Sequence, residues 1–138
     1  MNGTPPIDEI ELRRAGWGIR SGLDISSSLD AYRDYISRSR GEWSVAKNAY
    51  VQSRSGWFSC RSACYLALGV PAIVQDTGFS CALPTGEGIL SFSTADGARS
   101  AIEAVVADPE RHTRTARDIV HEYFDSAKVL NRLITQAA

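Results

Sequence analysis

Apolar positions recur at helical spacing through much of this chain, with short strand-like runs between them. Residues Ser59 to Leu68 bring Phe58, Cys64, Tyr65 and Leu68 close to one helical face. Gly69 follows as a C′ glycine, which takes the left-handed conformation cheaply, and Pro71 forbids continuation. Ala72-Ile73-Val74 then reads as a buried strand. Upstream, Glu9 to Ala15 is a short helix stopped by Gly16, and Trp17 to Arg20 is a weak strand candidate. Ser28 caps a helix from Leu29 to about Ser39, whose buried stripe is Leu29, Tyr32 and Ile36. Trp43 to Ala46 is the next strand, and Lys47 to Gly56 a long loop.

Downstream, Ile89 to Phe92 is a short strand, and Thr94 caps a helix patterned by Ala98, Ala101, Ile102, Val105 and Val106. Asp108-Pro109 ends it and suits the first turn of another helix, whose stripe is Ala116, Ile119, Val120 and Tyr123. Asp125-Ser126 punctuates again. A last helix should turn Val129, Leu130, Leu133 and Ile134 inward. The expected class is α/β, with a small, mostly parallel sheet of about four strands flanked by helices and a helical C-terminus.

At 138 residues the chain fits a single domain spanning 1–138, with residues 1–8 expected to be a flexible arm. A net charge of −1 removes the electrostatic case for nucleic acid. No apolar run reaches the ~20 residues of a membrane span. The start lacks a signal-peptide pattern, so the expected compartment is cytoplasmic. Cys60, Cys64 and Cys81 are an odd set, with the first two one helical turn apart, and read as reduced thiols.

Candidate chemistry gathers around the central helix. Ser53-Arg54-Ser55-Gly56 precedes it, small and polar with one cation, and a helix N-terminus presents unpaired N–H groups to an anion. Arg61 and Ser62 add donors from its first turns. The alternative is capping plus a solvated loop. Asp76, Thr77 and Gly78 follow a strand end, where open parallel sheets bind ligands, or else form an ordinary tight turn. Glu87 stands between two glycines, as a contact or as part of the loop's own structure. A nucleophilic Cys60 would need a histidine, but His112 and His121 lie on a late helix that reads as a surface face. No HExxH, GxGxxG, paired CxxC or Walker pattern is present, and neither a metal nor a cofactor is expected.

The stretch GWFSCRSACYLALGVPAIVQDTGFS, followed by LPTGEGIL and EYFDSAKVL, resembles the C-terminal part of bacterial glycosyltransferases of the two-Rossmann-domain (GT-B) type. The resemblance runs from about Arg13 to Leu133. It implies a truncated Rossmann-like domain that binds a nucleotide-sugar, the donor half of a transferase whose acceptor domain is separate. Transfer by this chain alone is then not expected. It also implies that Ser55, Gly56 and Trp57 stand where the donor phosphates approach. Cys64 occupies the position at which many such enzymes place a glutamate for the donor ribose, and a thiol cannot accept two hydroxyls as a carboxylate does. The second reading is a non-catalytic module that self-associates as a homodimer, with the contact expected between Glu9 and Arg20.

Overall fold

The computed structural model describes residues 6–137, and the side chains of residues 8–137. Of the arm expected over 1–8, residues 1–5 lie outside the described residues, and from Pro6 the chain is already helical. The chain divides into two compact units, Met1–Arg38 and Ser39–Ala138.

The first unit holds α1 (Pro6–Arg14), α2 (Gly22–Ile25) and α3 (Leu29–Ser37). Gly16, at φ +87°, closes α1, and the N–H of Trp17 reaches back to the carbonyl of Leu12. The Ser28 hydroxyl accepts the Ala31 N–H and caps α3. Two expectations fail here. Residues 17–20 form no strand. In the expected stripe of α3, Ile36 is buried and Tyr32 half-buried, but Leu29 is 89% exposed. A first-turn leucine satisfies the helical period without being placed against anything.

The second unit is built on three parallel strands, β1 (Glu42–Ser44), β2 (Ala72–Gln75) and β3 (Ile89–Phe92), in the order β1-β2-β3. Three of the four expected strands therefore form, and they are parallel as expected. Glu42 pairs with Ala72, and Ala72 with Ile89, so alternate residues face opposite layers. Ala72, Val74 and Ile89 pack with Leu66 of α5 (Cys60–Ala67) and with Ala116 and Ile119 of α7 (Pro109–Ile119). Ile73, Leu90 and Phe92 pack on the other side with Ala98, Ala101 and Val105 of α6 (Ala95–Ala107). Both layers of the sheet are thus covered by helices, the arrangement that lets parallel strands be apolar on every position.

The turn after α5 forms as its sequence requires. Gly69 has φ +75°, its N–H bonds to Leu66 and that of Val70 to Tyr65, so two orphan carbonyls are satisfied before β2. Asp108 caps α7 through the Arg111 N–H, with Pro109 at the first helical position. The long loop expected over Lys47 to Gly56 instead contains a short helix, α4 (Asn48–Gln52), too brief to show a period. After α7 the chain takes a π-helical turn, Val120–Phe124, and then α8 (Ser126–Ala137). The stripe expected to turn inward from α8 is exposed along its whole length. No helix among the described residues is long and apolar enough to cross a membrane.

Candidate functional site

A cleft of about 280 Å³ opens at the carboxyl ends of β1 and β2. Ser44 and Val74-Gln75 form its strand wall, Tyr50 of α4 and Trp57 stand along it, and Ser59, Arg61 and Ser62 bring the first turn of α5 to it. The end of a parallel strand next to a helix N-terminus is where α/β sheets place their ligands, since helix dipoles and unpaired amides point there. Gln75 steadies the wall by accepting the Ala46 N–H through its side-chain oxygen at 3.1 Å. Phe58 packs edge-on to Phe79 with ring centroids 5.1 Å apart, a contact that fixes the entry to α5.

The first turn of α5 is partly filled from within. The Ser59 hydroxyl accepts the Arg61 N–H and the Ser59 carbonyl the Ala63 N–H, which leaves the amide of the exposed Cys60 for a ligand or water. Ser62 is fully buried, and its hydroxyl has no hydrogen-bond partner among the described residues. Arg61 donates Nε–H to Oε1 of Glu42 at 2.7 Å. The Glu42 carboxylate is buried while the guanidinium is half exposed.

Besides Arg61 and Ser62, the residues marked in the sequence fall into three groups. Ser55, Gly56, Trp57 and Thr77 are brought together, but by bonds to one another. The Gly56 N–H binds the Thr77 carbonyl at 2.9 Å, the Thr77 hydroxyl donates to the Trp57 carbonyl at 2.6 Å, and the Ser55 N–H is taken by Tyr50. The loop is a clamp onto the end of β2 rather than an open cradle of amides. What it offers the cleft is the ring of Trp57, half exposed and stacked on Tyr50 at 5.0 Å.

Asp76 and Gly78 form the second group. Asp76 accepts the amides of Gly78 and Ser80 and the Ser80 hydroxyl, the tight-turn alternative weighed from the sequence. Gly78 has φ +99°, and a Cβ there would lie 2.9 Å from the Arg54 carbonyl.

Glu87 stands apart. It precedes β3 and so lies at the opposite end of the sheet from the cleft, where Arg111 donates to its Oε1 and Thr115 to its Oε2. The Arg111 hydrogen bond holds the Glu87 carboxyl below its ordinary range, helped by the Arg111 charge and the Thr115 hydroxyl. A carboxyl depressed in the folded state adds stability above its unfolded pKa near 4.5, and that stability fades as pH falls through the lower folded value. Glu87→Gln should therefore be less stable than the parent at pH 7 and equal to it at about pH 2, as read by urea unfolding. A gap that stays constant down to acid would refute the linkage.

Several placements in and around the cleft and the sheet were not visible in advance. Tyr50 sits on the unforeseen α4, and Glu42 is a charged residue in a three-residue strand. His112 corrects the surface-face reading of its helix, being buried and accepting the Gly88 N–H through Nδ1 at 3.3 Å. Cys60, Cys64 and Cys81 are all free and exposed, whereas Tyr65, grouped with Cys64 on one helical face by spacing, is buried. No group of three or more His, Cys, Asp or Glu that would hold a metal ion occurs among the described residues. No family model, no curated protein and no solved structure matches this chain.

Proposed function

We propose that the chain binds a nucleotide-sugar, through its nucleoside diphosphate, in the cleft at the α5 N-terminus. The observation that carries this reading is the buried, unpartnered Ser62 hydroxyl beside the amides of the first turn of α5, at the carboxyl ends of two parallel strands. Phosphate oxygens supply the acceptors that this group of donors lacks, with Arg61 and Lys47 as flanking cations. The open face of Trp57 suits the base or the sugar ring. Thr77 and Gly56 hold that ring in place, and Asp76 shapes the turn behind it. The glycosyltransferase resemblance supports the same ligand class, with the acceptor supplied by a separate domain and no transfer by this chain alone. A cytoplasmic setting fits the three exposed thiols.

The expected affinity is millimolar, about −4 kcal/mol, because one small open cleft covers little of such a ligand. Amide chemical shifts of Trp57, Arg61, Ser62 and Thr77 should move on titration with UDP, ADP or GDP, and less with inorganic phosphate. Ser62→Ala removes a hydroxyl with no partner, so it should leave the unfolding midpoint unchanged or raised while weakening binding by roughly 3- to 10-fold. Silence at all four amides up to the highest ligand concentrations would dispose of the proposal. A second reading, the non-catalytic self-associating module, is favoured by the exposed stripe of α8.

A further inference from the structure

α8 presents one continuous apolar face that nothing else in its own unit covers. Val129, Leu130, Leu133 and Ile134 are 43 to 66% exposed, and every residue from 126 to 137 is exposed. An aliphatic ridge of this length is more than a monomer ordinarily leaves in water. Its order is the informative part. At 100° per residue the ridge comprises Ser126, Val129, Leu130, Leu133, Ile134 and Ala137, which read from either end as small, β-branched, leucine, leucine, β-branched, small. Such a face is its own complement when two copies run antiparallel about an axis between residues 131 and 132. Leu130 then meets the second copy's Leu133, Val129 meets its Ile134, and the small residues at the ends let the helices close together.

The charges agree with that pairing. α8 contains Lys128 and Arg132 and no acid. Lys128 points away from the ridge and is held by Glu122 at 2.6 Å. Arg132 lies one turn beyond Lys128 on the same far face, where its charge also reaches Glu122, so neither cation enters the ridge. The N-terminus of each helix also lies beside the C-terminus of the other, which is the favourable alignment of helix dipoles. We propose that α8 is an isologous dimer contact, formed by antiparallel packing against α8 of a second copy of this chain. The contact lies here rather than in the segment Glu9 to Arg20. The ridge offers roughly half of the ~800 Å² per partner of a standard interface, so the dimer is weak and depends on concentration.

Light scattering on the full chain should show its mass rising toward twice the monomer value between roughly 10 and 500 µM. Leu130→Glu and Leu133→Lys should each weaken association at least ~10-fold and leave the unfolding midpoint in place, because the side chains are exposed. Mixed in equal amounts, the two variants should regain the dimer, since only the antiparallel register sets position 130 against position 133 and pairs the new charges. The same charge pair at Val129 and Ile134, which also face each other, repeats the test if either leucine variant fails to fold. A parent chain that stays monomeric at 500 µM overturns the proposal. So does a dimer that both variants retain, and so does a mixture that stays monomeric.

Discussion

Gly88→Ala should cost about 3–4 kcal/mol and lower the unfolding midpoint by roughly 10–15 °C. Gly88 has φ +69°, where a Cβ by itself costs ~1–2 kcal/mol. Its Cβ would also lie 2.7 Å from the Ala116 nitrogen and 2.9 Å from the Ala116 Cα, which are helix backbone and cannot turn aside. Movement of Gly88 would strain two bonds that anchor the start of β3, its N–H to His112 and its carbonyl to the Ala72 N–H. Gly86 is the control. It has φ +108°, but nothing lies within 4 Å of the Cβ position, so Gly86→Ala should cost ~1–2 kcal/mol. Chemical denaturation of the two variants isolates the clash. Equal losses at both positions would show that α7 and β3 do not approach as described.

Arg61→Met should destabilise the chain by about 2–3 kcal/mol, and Glu42→Leu/Arg61→Met should recover most of the loss. The argument rests on burial asymmetry. The Glu42 carboxylate is only 4% exposed and leans on a guanidinium that is 52% exposed. Its other oxygen, Oε2, is buried with no partner among the described residues. Removing the cation strands a buried charge, which costs about 3–5 kcal/mol in a fully buried pair and less where one partner already meets water. Removing both replaces an incompletely satisfied ion pair with apolar contact. A double-mutant cycle should give a coupling of at least about 1.5 kcal/mol. A double variant no more stable than Arg61→Met would mean that Glu42 is satisfied in some other way.

The two results bear on the cleft differently. Gly88 is at the far end of the sheet, so Gly88→Ala tests the scaffold. Arg61 is in the cleft, so its loss should lower stability and, under the proposed function, ligand binding as well. Ser62→Ala is the cleaner probe of binding, because the hydroxyl it removes makes no bond that the fold uses.

Local chemistry was readable wherever a residue acts on its own neighbours. Gly69 and Pro71 mark the turn after α5, Ser28, Thr94 and Asp108 cap their helices, and Gly16 ends α1, all within a few residues of the side chain responsible. The β2 and β3 runs were legible because they are mostly buried on both faces and so are largely apolar. The loop 53–56 was legible as small and polar, but not as a clamp. Its Gly56 amide is consumed by Thr77, and a bond of that kind depends on where a distant strand ends.

The amino-acid sequence by itself determined the α/β class, the parallel strands after Gly41, the helix ends and the amphipathic stripe of α8, because periodicity, capping and glycine conformation act over one or two turns of chain. Only the tertiary structure decided that Glu87 stands at the opposite end of the sheet from Ser62, that His112 and Glu42 are buried, and that the α8 stripe meets no other part of its own unit. A helical period states which side of a helix is apolar and is silent on what lies opposite. Burial and pairing are set by contacts between residues far apart in sequence, and those exist only once the strands have chosen their register.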